Sequence, residues 1–242
     1  MEKKYKLTEE TINVANRTLY RIEALRDFND VKKGDKGGFI ENEKNLSQSD
    51  YCWVYSNALV FGNAEVYGDA VVYGKAQVLD NAKVCGKAEV YGNAKVYGSA
   101  KVYEDVWVYD NAKVCGNARV YDNVTISGNA VVSDRAVVFD NVKVFGNAQI
   151  YGDAIVCEDA QIYGNVWVYD NAVVCGKATV FDNARVFDNA EVYGNAKAYG
   201  NAQVCDDAEV YGNAKICDNA FIYNNATICG NTKVYGNTKI GE

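Results

Sequence analysis

The sequence predicts an all-β solenoid, and three observations carry that prediction. Stepping by six from Val54 to Ile240 visits 32 positions, and all are Val or Ile except Ala198. Two residues before each lies a small side chain, Ala in 25 of the 32 cases, with Cys52, Val106, Val124, Val142, Val166, Thr232 and Thr238 as exceptions. No residue is inserted or deleted along this run, and the chain has no Pro, the residue that cannot donate to a β-ladder.

The elements follow in order. Residues 1–45 stand outside the hexads and predict a small β-rich cap: "TLYRIEALRDF" has partly alternating apolar residues, and "KKGDKGG" supplies a turn. A solenoid needs such a cap because its open end exposes apolar rows and unpaired strand groups. Residues 46–242 form the solenoid. In a unit such as Ala94-Lys95-Val96-Tyr97-Gly98-Ser99, alternation along a strand places Ala and Val on one face, Lys and Tyr on the other. The β-branched and aromatic residues favour a pleated strand. The closing pair, most often Gly-Asn or Asp-Asn, tolerates the left-handed backbone of a sharp corner. Each hexad is therefore expected to be a four-residue strand plus a corner, and stacked coils merge the Val and Ala rows into one interior.

A branched aliphatic followed four residues later by Ala, Val or Thr, as in "VYGNAK" and "IYGDAI", resembles the hexapeptide repeat of left-handed parallel β-helices. That resemblance implies three hexads per coil, a triangular cross-section, left-handed winding and about 10–11 coils, ~50 Å of stacked strands. Within residues 25–58, Asp27-Phe28-Asn29-Asp30-Val31-Lys32, Gly37-Gly38, Asn45-Leu46-Ser47-Gln48 and Cys52-Trp53-Val54-Tyr55 resemble the opening of YdcK-like proteins. These are bacterial and phage proteins labelled transferases by fold analogy, and the family supplies no catalytic residues to carry over.

Composition narrows the chemistry. The chain has 242 residues and a net charge of −7. Residues 1–50 balance ten Lys+Arg against ten Asp+Glu, so the whole excess lies on the repeats. This argues against nucleic acid and anionic membrane as partners, since both select basic patches. The N-terminus has no continuous apolar run, and a cytoplasmic location is expected. The chain has no His, the usual general base of acyltransferases and the usual zinc ligand of related β-helix enzymes. No catalytic, cofactor-binding or metal-binding residue is therefore assigned. Cys52 takes an interior slot, while Cys85, Cys115, Cys157, Cys175, Cys205, Cys217 and Cys229 replace Tyr on the outside. Only Cys157 and Cys175 are one coil apart, and they are expected to be reduced thiols.

The outer surface supplies two candidate features. Tyr55, Tyr73, Tyr91 and Tyr109, then Phe145, Tyr163, Phe181 and Tyr199, form an aromatic ladder whose first role is self-stacking. The position before each Val is normally polar, but it becomes apolar at Val137, Ile155 and Val173, beside Phe139, Cys157 and Cys175. A contiguous apolar patch on a polar solenoid marks an interface. The residues favour a non-catalytic structural or interaction protein that self-associates, with a trimer expected before a dimer because resembling β-helices form parallel trimers. Two alternatives stand beside it: an acyltransferase-like protein with a non-His mechanism, and a small-molecule or nucleotide binder of the phage sequestering type.

Overall fold

The structure, a computed structural model, describes residues 3–241. The chain divides into two compact units, Met1–Asn117 and Ala118–Glu242. Both are parallel β-solenoids, as the hexads predict, and the first also carries the N-terminal β-rich segment.

That segment opens with β1 (Tyr5–Val14) and β2 (Arg17–Ala24), an antiparallel hairpin. Its turn residues Ala15 and Asn16 both have positive φ, 49° and 60°, as a tight hairpin turn matching the strand twist requires. The third strand, β3 (Lys36–Ile40), pairs antiparallel with β2 on one edge and parallel with Leu59–Val60 on the other. It thus converts a hairpin into a solenoid. The conversion needs Gly37 and Gly38, because a Cβ on either would fall 2.5 Å from the carbonyl oxygen of Val54 or Ala58.

Beneath the hairpin, Lys4 is fully buried, an outcome the sequence reading did not anticipate. Its Nζ donates to the carbonyl oxygens of Asp50 and Cys52, both at 2.8 Å. Burial lowers its pKa. The Tyr5 hydroxyl shares its proton between the carbonyls of Leu46 at 2.7 Å and Glu43 at 3.0 Å. The rings of Tyr5 and Phe28 meet Trp53 edge-on. Asn45 closes the first coil by donating from Nδ2 to the carbonyls of Gly62 and Ala64.

Within each unit a strand pairs in parallel with the strand 18 residues on, as in Lys95↔Lys113 and Val137↔Ile155. The aliphatic positions from Val54 to Ile222 and the small positions two before them are at most 1% exposed. Most regular strands cover two residues, such as Ile155–Val156, instead of the expected four; Lys143–Gly146 and Gln161–Gly164 reach four. The ladder still reaches the residues on either side, since the Ile155 amide donates to the Ala172 carbonyl at 2.9 Å and the Cys157 amide to the Val174 carbonyl at 3.0 Å. The chain then turns at a positive-φ residue such as Gly152 (71°) or Asp182 (61°), as the corner requires.

The corners carry their own ladders. Asn129, Asn147, Asn165, Asn183, Asn201, Asn219 and Asn237 are joined Nδ2 to Oδ1 at 2.8–3.2 Å. At several corners Asp occupies the positive-φ position and its carboxylate accepts the amide of the next coil: Gly152 on Asp134, Gly200 on Asp182, Gly236 on Asp218. Among the described residues no helix is long and apolar enough to cross a membrane.

This arrangement separates interior from corner. Val144 is fully buried, and Val144→Asp should abolish soluble folding because it strands a charge in an apolar row. Asn147→Asp keeps the acceptor for Asn129 and loses only the donor to Asn165, a cost of about 1 kcal/mol. Soluble yield and thermal melting of the two variants check this contrast.

Candidate functional site

Within each unit, rings one coil apart stack on one another. Tyr73 stacks on Tyr91 with ring centroids 4.6 Å apart, and Tyr91 on Tyr109 at 4.9 Å. In the second unit Phe145, Tyr163, Phe181 and Tyr199 stack at 4.8, 5.2 and 4.8 Å. Tyr55 is drawn toward the cap, where its hydroxyl donates to Asp30 at 2.7 Å. Comparable stacks occur elsewhere, with Tyr151 on Tyr169, Tyr169 on Phe187 and Tyr193 on Tyr211. Rings on several faces fit coil-to-coil stabilisation better than a single binding platform.

An open recess of about 500 Å³ lies where the loop after β2 meets this ladder, lined by Asn29, Asp30, Tyr55, Ser56, Val71, Tyr73 and Glu89. Both carboxylates already accept tyrosine hydroxyls, Asp30 from Tyr55 and Glu89 from Tyr73 at 3.1 Å. The sequence reading did not single out this recess, because it joins residues far apart in the chain.

The apolar run is assembled by one sheet of the second unit. Val137, Ile155 and Val173 are successive partners in register. Ile155 is 37% exposed, and Val137 and Val173 are half-buried. Phe139, Cys157 and Cys175 lie half-buried beside them, with Phe139 stacked on Tyr121 at 5.1 Å. The run is bounded by charge. Arg119 pairs with Val137 on one side, Glu191 pairs with Val173 on the other, and both are exposed. These flanking charges were not part of the sequence reading, although the hexad spacing contains them.

The cysteines need one correction. Cys115, Cys205 and Cys217 sit at outward positions yet are buried, at 9%, 3% and 2% exposure. A thiol is much shorter than the rings that fill this column elsewhere, so it sits below the level of its neighbours. Cys157 and Cys175 are free thiols. Burial first, and then the neighbouring Cys175, push the Cys157 thiol up to about 12; burial also raises Cys175. Asp188, Cys205 and Asp206 bring possible ligand atoms within 4.8 Å of one another. Their carboxylates, however, accept the amides of Asp206 and Asn224 in the corner ladder.

Comparison with known proteins agrees with the repeat. The family described as YdcK Beta solenoid repeat matches residues 112–134 and 160–176. The protein named "Uncharacterized acetyltransferase YdcK" from Escherichia coli (strain K12) is 41% identical over 71 residues. The similarity covers 26% of this chain and 22% of that relative.

The thiol environments set an order of reactivity. Thiolate is the reactive form, and raised pKa values leave little of it at Cys157 and Cys175 near pH 8. Cys229 is exposed. Limited alkylation at that pH should modify Cys229 before either of them, as read by peptide mass spectrometry.

Proposed function

From a chain built of YdcK-like β-solenoid repeats, we infer a protein that works through its surface: a non-catalytic interaction scaffold that associates with copies of itself. The observation that carries this reading is the in-register apolar run Val137–Ile155–Val173, on a face whose outward positions are mostly polar. Exposed apolar patches of this kind favour association because burying them removes apolar area from water. The lack of His and the uninterrupted hexads support the same reading, since neither a usual proton acceptor nor an inserted loop is at hand. The free thiols of Cys157 and Cys175 suit a reducing compartment, and we propose the cytoplasm.

A second reading follows from the relative's name, which describes an acetyltransferase. Acyl transfer would then need a proton acceptor other than His. Titration with acetyl-CoA separates the two readings: the scaffold should show no saturable binding, and saturable micromolar binding would favour the transferase. Self-association is tested by light scattering. The wild type should exceed the monomer mass, and Ile155→Lys, on an outward-facing side chain, should return it to a folded monomer with an unchanged circular dichroism spectrum.

A further inference from the structure

We infer that the apolar run is the centre of a two-fold interface in which two copies meet with reversed coil order, Arg119 of one copy against Glu191 of the other. The inference rests on the self-association reading and adds its geometry.

The argument starts from one outward column. Its successive residues are Arg119, Val137, Ile155, Val173 and Glu191, each the in-register partner of the next. The column is symmetric about Ile155 in apolar character and opposite in charge at its ends. Adjacent strands are ~4.8 Å apart, so each charge stands roughly 10 Å from the level of Ile155.

Consider two such faces packed together. A two-fold axis lying between them, along strand Ile155–Val156, reverses the order of coils. Ile155 then meets Ile155, Val137 meets Val173, and Arg119 meets Glu191 twice. An axis parallel to the stack instead leaves the coils level, setting Arg119 beside Arg119 and Glu191 beside Glu191. Like charges facing each other oppose association, so the reversed arrangement is the one this column suits.

Two neighbouring features agree. Glu191 lies in register with Glu209, and stacked carboxylates gain from a cation brought by a partner. At the level of Ile155 the rim residue Asp153 is paired with Arg135 at 2.6 Å, so it meets its symmetry mate with its charge already offset. The reversed dimer departs from the parallel trimer that the family resemblance implies.

The test is sedimentation and light scattering on the whole chain. The wild type should be a dimer that weakens from low to high salt, because screening acts on its two opposite-charge contacts. Arg119→Glu and Glu191→Arg should each weaken the dimer roughly 10-fold or more, and the double variant should recover most of the loss. Both residues are exposed, so an unchanged circular dichroism spectrum is expected throughout, and any fall in melting temperature should follow the loss of dimer. A trimer, association that strengthens with salt, single variants of wild-type mass, or a double variant no better than the singles would each overturn the reversed geometry. If Ile155→Lys still dissociates the assembly in those cases, self-association stands without this geometry. A monomeric wild type removes both.

Discussion

Within each unit the structure depends on one constraint: a residue lies directly against the residue 18 positions further on. The parallel backbone ladder enforces it, with bonds such as Lys95 N to the Ala112 carbonyl at 2.9 Å and Ile155 N to the Ala172 carbonyl at 2.9 Å. Each bond contributes only about 1 kcal/mol, but repeated at every coil they hold the register. Side chains therefore meet their own kind. Val packs on Val, Asn donates to Asn, and Tyr stacks on Tyr. The small interior position matters as much as the aliphatic one: it is Ala in most coils and Val at 106, 124, 142 and 166, and these side chains are fully buried.

The same constraint creates a problem at the first coil, where parallel strands have no preceding partner. The chain resolves it with β3, whose two edges pair in opposite senses. Gly37 and Gly38 permit its close approach. Lys4 then supplies donors to carbonyls near the open end of the ladder. A buried ammonium is costly, and its hydrogen bonds to Asp50 and Cys52 offset that cost.

On so periodic a surface, function is sought in departures from the period. Most outward positions repeat charge or ring, and their contacts run from coil to coil. The run from Val137 to Val173 breaks the pattern by losing charge for three coils, and Arg119 and Glu191 restore it with opposite signs. The apolar residues supply the driving force for association. The charges supply orientation, which is the usual division of labour at protein interfaces.

The sequence by itself determined the solenoid, its interior and its faces, because a six-residue period with an alternating strand leaves each side chain one assignable direction. It also placed the apolar run and the aromatic columns, once the resemblance to left-handed β-helices supplied three hexads per coil. Only the tertiary structure decided the rest. The depth of Cys205 and Cys217 depends on the height of neighbouring side chains. The buried Lys4, the Tyr55–Asp30 bond and the recess beside it join residues from the cap to residues of the first coils. No period links those segments, so their contacts arise only when the cap folds onto the solenoid.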